Sequence, residues 1–225
     1  MISTAMIGAS TGFVAAPPAA SSDLYVSSGS SNIVYQMNGF SSTSLGSLAN
    51  ATANAKLSIM SGGDLLIADT VDVERRDPTT PFAINSSYTS PLGSQGSGVS
   101  SDASGNVYQC GANSLDVNKY VGFSSTLDSS VTLLAANNPR DIDLDASGNL
   151  IAVGRSGSNE LITRYSGFSA TASASFARID DGGQPCVAVD NAGNIYQSDS
   201  NSNEVHKMVG FSSTLDSTLA ITQLS

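Results

Sequence analysis

Pro185-Cys186-Val187-Ala188-Val189-Asp190-Asn191-Ala192-Gly193-Asn194-Ile195-Tyr196 reads as two short strands around one tight turn. Val187 and Val189 alternate with small residues, which is the two-residue period of a strand and not the 3.6-residue period of a helix. Asp190 can accept a local hydrogen bond. Gly193 supplies the positive φ that a type I turn closing with a bulge requires. The pattern predicts a second strand over Ile195–Ser198, a third around Val205–Met208 and a fourth over Leu215–Ile221. Gly210-Phe211-Ser212-Ser213-Thr214 forms the turn between the last two.

The same unit recurs along the chain. Pro139 opens one copy, with Asp145-Ala146-Ser147-Gly148-Asn149 as its turn, and Val99 leads to another at Asp102-Ala103-Ser104-Gly105-Asn106. Two weaker copies run through Ser61-Gly62-Gly63-Asp64 and Ser22-Asp23-Leu24-Tyr25. Second-strand residues Tyr25, Leu66, Tyr108, Ile151 and Tyr196 are spaced by 41, 42, 43 and 45, and Phe40, Phe82, Phe123, Phe168 and Phe211 by 42, 41, 45 and 43. Two independent markers with one period fix a repeat, and four antiparallel strands per ~43 residues is the length of a propeller blade. The expected fold is therefore all-β: one propeller of five four-stranded antiparallel blades, with six blades as the alternative. The blades fall at about 12–53, 54–95, 96–137, 138–182 and 183–225.

Pro185-x-Val187-Ala188-Val189-Asp190-x-x-Gly193-Asn194-Ile195-Tyr196, followed by Asn203-x-Val205, resembles the NHL-type propeller repeat. The resemblance is strong in the units from Pro139 and Pro185, fair in the unit from Gly98, and degenerate in the first two, which lack the Pro and the Asp. NHL-like families commonly have six blades, so five units is a departure. It leaves a five-bladed ring, a sixth blade, or a ring completed by oligomerisation. Residues 1–11 add to this count, because they sit in the register of a fourth strand that Leu215–Ser225 also fills. Either Ile2–Ile7 closes the last blade, or the N-terminal segment is an arm for a partner, and an oligomer or larger assembly could form through a terminal strand.

The formal net charge is −10, and the nine basic residues are scattered. That disfavours nucleic acid and anionic membrane surfaces, which need a basic patch. No apolar run reaches the length of a membrane span. Met1–Ala20 lacks the basic residues of a signal peptide, so localisation stays open. A low charged fraction of 12% with abundant Ser, Asn and Gly suits an extracellular or virion-surface component. Cys110 and Cys186 fall on non-consecutive blades and read as free, buried thiols.

A propeller site usually lies where first strands converge on the central channel. Lys56, Arg140, Asp141, Asp143 and Gln184 mark the polar entries to those strands and are the candidate binding residues. They could form a polar site, with a cation near Asp141 and Asp143, or an ion-pair cluster that fills the channel. No metal site and no cofactor are expected, because a hard cation wants about six oxygens and neighbouring blades offer few. Gly8-Ala9-Ser10-Thr11-Gly12 has nucleophile-elbow spacing, but no helix follows it. The lone His206 belongs to a third strand. The repeated Gly-Phe is expected to plug the space between adjacent blades. The preferred function is a non-catalytic binding or scaffold module for a protein partner or a glycan, and the alternative is a propeller lyase or hydrolase using the fourth blade. No catalytic residue is assigned.

Overall fold

Aspartate, glycine and asparagine set the first hairpin of the third, fourth and last repeats. In the computed structural model Asp102 N–H donates to Asn106 O (3.0 Å) and Gly105 N–H donates to Asp102 O (3.0 Å). Gly105, Gly148 and Gly193 have φ of 81°, 76° and 81°, a region closed to most side chains. The description covers residues 13–15, 24–28, 33–37, 41, 44–49, 55–60, 62–68, 71–77, 83–92, 96–111, 114–133, 137–156, 159–179, 185–199 and 203–221.

All regular structure among these residues is β. The first sheet is β1 (Phe13–Ala15), β2 (Leu24–Ser28), β3 (Ile33–Met37) and β4 (Ser44–Ala49). The second is β5 (Lys56–Ile59), β6 (Leu65–Ala68), β7 (Asp72–Arg76) and β8 (Ile84–Thr89). The third is β9 (Gly96–Ser101), β10 (Val107–Gly111), β11 (Asp116–Tyr120) and β12 (Leu127–Thr132). The fourth is β13 (Asn137–Leu144), β14 (Leu150–Ser156), β15 (Asn159–Tyr165) and β16 (Ala172–Ala177). The last is β17 (Val187–Val189), β18 (Ile195–Asp199), β19 (Glu204–Met208) and β20 (Leu215–Ala220).

Each sheet is an antiparallel meander in chain order. The first strands touch in sequence, β1 with β5, β5 with β9, β9 with β13 and β13 with β17, so successive sheets stack face to face in a propeller-like arrangement. Stacking explains the burial. Strands β5, β6 and β10 are buried on both faces, whereas the fourth strands β8, β12 and β20 expose every second residue. An apolar cluster fills each gap: Leu57, Ile59 and Val34 between the first two sheets, Leu66, Val73 and Val99 next, then Val117, Ile142 and Leu150, then Val153, Ile162 and Val187. Burying each such side chain contributes about 1.5–3 kcal/mol, which offsets the ordering of a loop-rich chain.

The Gly-Phe turns plug the gaps between sheets. Phe123 meets Tyr88 edge-on at 4.9 Å, Phe168 meets Tyr108 at 5.3 Å and Phe211 meets Phe176 at 5.0 Å. Each pair joins one sheet to the one before it. The position beside β19 is taken by β20, through pairs from Glu204↔Ala220 to Met208↔Leu215. Residues 1–11, expected as a closing strand or arm, and the Ser10 motif lie outside the described residues.

Candidate functional site

The Asp and Asn side chains of the Asp-x-x-Gly-Asn unit form a clamp at one end of the third, fourth and last sheets, joined by a tyrosine hydroxyl in the third and last. In the last sheet Asp190 Oδ1 accepts the Asn194 N–H (2.8 Å), and Oδ2 accepts Asn194 Nδ2 (2.8 Å) and the Tyr196 hydroxyl (3.1 Å). Asn194 Oδ1 then accepts the Gly210 N–H of the Gly-Phe turn (3.1 Å). The same bridge runs from Asp102 through Asn106 to Gly122, and from Asp145 through Asn149 to Gly167. The asparagine therefore ties the first hairpin of a sheet to its second.

Beside these turns lies a cavity of about 460 Å³. Its rim carries Ser101, Asp102 and Ser104 from the third sheet, Asp145 and Ser147 from the fourth, and Asn191 from the last. Ile59, Leu144 and Val189 give it an apolar component, and Asp143 borders it. No basic side chain lines it among the described residues. Asp143 is fixed: its Oδ1 accepts Ser100 Oγ (2.8 Å) and its Oδ2 accepts the Val189 N–H (2.8 Å).

Among the first strands a polar cluster is sealed from solvent. Lys56 is 6% exposed and Asp141 0%. Lys56 Nζ donates to Cys186 Sγ at 2.9 Å, joining the second sheet to the last. The Val187 N–H donates to Asp141 Oδ2 (3.2 Å). Gly98 makes room for this cluster, since a Cβ there would fall 2.8 Å from Cys110 Sγ and 2.9 Å from both Asp141 Oδ1 and its Cα. The Cys110 thiol donates to Pro139 O (3.6 Å).

Burial dominates the electrostatics. It pushes the Asp141 carboxyl up to about 7, against the pull of Lys56. It also holds the Cys186 thiol well above its usual range, with Asp141 adding to the shift. For Lys56 burial acts downward, but charge on Cys186 and Asp141 outweighs it and the net direction is upward. Asp141 is therefore a counter-ion to the Lys56 ammonium only in its ionised form.

Of the candidate binding residues, then, Lys56 and Asp141 come together, with Cys186 as an added member. Asp143 sits between this cluster and the cavity. Arg140 is half-buried on β13, and Gln184 lies outside the described residues. His206 is buried on β19, with Nδ1 2.9 Å from Thr218 Oγ1. Among the described residues no group of three His, Cys, Asp or Glu side chains is arranged to hold a metal ion, and no helix is long and apolar enough to cross a membrane. The Lys56–Cys186 contact had no local signal, because it spans 130 residues. The cavity did have one: three copies of Asp-x-x-Gly-Asn had to put their turns at the same end.

No protein-family model matches the sequence, and no curated protein does either. Solved structures do resemble it. Hydrazine synthase of Kuenenia stuttgartiensis aligns with a TM-score of 0.58 at 11% identity, over 87% of this chain and 75% of that one. Virginiamycin B lyase of Staphylococcus aureus aligns at 0.53 and 14% identity, over 93% and 70%. A protein of unknown function from Bacteroides caccae aligns at 0.53 and 13%, over 88% and 72%. At such identities the likeness is one of fold, and with the stacked four-stranded sheets it makes this chain an all-β, propeller-like protein.

Proposed function

We propose that the chain is a non-catalytic, NHL-like propeller of five blades that serves as a binding or scaffold module, and that its ligand is a neutral glycan seated in the cavity beside the first hairpins. The sheet order supports five blades, each a four-stranded meander. One observation carries the binding site. The Lys56, Asp141 and Cys186 cluster is closed to solvent, while the roomy concavity beside it is rimmed by hydroxyl, amide and carboxylate groups from three sheets. Acceptors and hydroxyls around an apolar patch suit the hydroxyl edges and C–H faces of a sugar. A rim of oxygen acceptors with no basic side chain among the described residues disfavours an anionic one. The reading extends to the setting: low charge and abundant Ser and Asn suit an extracellular or virion-surface assembly, and residues 1–11 are the segment through which a protein partner or second copy would join.

Ser147→Trp is the test. Ser147 is exposed on the cavity rim. An indole there fills the space without touching the sealed cluster. Wild-type protein should bind a neutral glycan on an array, and the variant should lose that signal while its urea midpoint stays unchanged. Failure of wild type to bind any neutral glycan, or full binding by Ser147→Trp, refutes the glycan site.

A further inference from the structure

Lys56 and Cys186 form a reactive pair as well as a packed one. A primary amine nitrogen 2.9 Å from a sulfur is already within the separation at which reacting atoms meet, about 3–3.5 Å. The two groups are held there by separate sheets, so neither can swing away without opening the interior. Asp141 borders both, and its carboxyl interacts with the Lys56 charge and with the Cys186 thiol. An amine, a thiol and a carboxylate that can carry protons between them are the three groups that an oxidative nitrogen–sulfur bond needs.

We propose that Lys56 Nζ and Cys186 Sγ form a reducible covalent sulfenamide when the protein meets hydrogen peroxide, fastening the second sheet to the last. In the first step the Cys186 sulfur attacks one peroxide oxygen. The O–O bond breaks, an S–O bond forms, sulfur loses two electrons, and peroxide is reduced to water, leaving a sulfenic acid. In the second step Lys56 passes a proton to Asp141, and its nitrogen lone pair attacks sulfur. The N–S bond forms as the S–O bond breaks, the departing hydroxide takes the proton from Asp141 to leave as a second water, and the freed Asp141 carboxylate then accepts the second proton from nitrogen, which leaves a neutral sulfenamide. Sulfenic acids are known to condense with nitrogen in this way when a backbone amide is near. Here the amine is nearer than any second thiol needs to be, because the Cys110 S–H is engaged with Pro139 O.

Burial shapes both the rate and the product. The thiolate is the form that reacts, and Cys186 is held as a thiol, so the first step is slow and speeds up as pH rises. The sealed interior admits a small neutral oxidant but excludes glutathione-sized thiols, so the bond persists until the protein is unfolded in reductant.

The experiment uses the full wild-type chain. Protein is treated with hydrogen peroxide, quenched, denatured, alkylated with iodoacetamide and digested with a protease that does not cut at lysine. The expected result is one joined peptide pair carrying residues 56 and 186, lighter than the two peptides together by two hydrogens. One of the two cysteines, Cys110, remains alkylated, and dithiothreitol restores the second. Lys56→Arg, which keeps the positive charge but removes the primary amine, should abolish the pair. Both cysteines alkylated after peroxide, a Cys110–Cys186 disulfide with neither alkylated, or Cys186 converted to sulfinic acid without a joined peptide each overturn the proposal. The wild-type readout stands even if Lys56→Arg fails to fold, and it is independent of what the cavity binds.

Discussion

Asn194→Ala should cost the protein about 2 kcal/mol, although the residue is only part-buried and sits in a turn. The side chain makes one hydrogen bond within its own turn and one to the second hairpin. Nδ2 donates to Asp190 Oδ2 at 2.8 Å, and Oδ1 accepts the Gly210 N–H at 3.1 Å. A hydrogen bond to a charged group contributes about 1.5–3 kcal/mol net and a neutral one about 0.5–1.5. Both lie near the surface, where water replaces part of each, so the low end of the sum applies. Asp190 keeps two partners in the variant, the Asn194 N–H and the Tyr196 hydroxyl, so the hairpin itself survives. The loss falls on the link between the first hairpin and the Gly-Phe turn, and through that turn on the Phe211–Phe176 contact. Urea unfolding should show a lower midpoint at an unchanged slope, and the melting temperature should fall by roughly 4–8 °C for a chain of this size. A double-mutant cycle with Asp190→Ala should return a coupling of about 1 kcal/mol. A change under 0.5 kcal/mol, or additivity in the cycle, would show that the asparagine clamp is decoration and that the sheets are held by apolar contact alone.

Two further outcomes follow from the sealed cluster. Gly98→Ala should destabilise by more than 2 kcal/mol in the same urea assay, because the new Cβ meets backbone at Asp141 and cannot be relieved by a side-chain rotation; a midpoint equal to wild type would contradict the packing. Asp141 gives a pH signature. Its folded carboxyl stands at about 7 against an ordinary 3.8, so between these values the folded state holds a proton that the unfolded state has released. The stability it supplies is complete below the lower value and is lost as pH rises through the upper one, on the order of 4 kcal/mol in all. Wild type should lose stability from pH 4.5 to 6.5 relative to Asp141→Asn, and parallel pH profiles would refute the shift.

The repeat was legible because each blade must solve the same local problem. Gly193 and its counterparts were readable as positive-φ positions, and β18 and β20 begin at the residues the alternation predicted, Ile195 and Leu215. The phenylalanine plug was readable too, since one residue type at one register must meet an equivalent gap each time. The asparagine had a local signal whose meaning was tertiary: its recurrence after Gly was plain, but not that its side chain reaches the second hairpin. The sealed cluster was half legible. Lys56, Asp141 and Asp143 stood out as charges among small residues. Their partners Cys186 and Ser100 look like ordinary core positions in sequence, and no periodicity pairs residues 56 and 186. Arg178 was missed altogether; it is buried, paired with Glu160, and donates to Ser198 O of the last sheet at 3.2 Å.

The Lys56–Cys186 contact also changes how the molecule should come apart. Sheets that touch only their sequence neighbours behave as a linear array, in which terminal units fray first and stability is a sum of nearest-neighbour terms. A contact between the second sheet and the last closes part of that array into a loop and leaves the first sheet outside it. The last sheet then cannot detach without also giving up an interaction with the second. The second to last sheets should therefore unfold in a single cooperative transition despite the modular sequence, and removing the lysine side chain should let the last sheet fray separately.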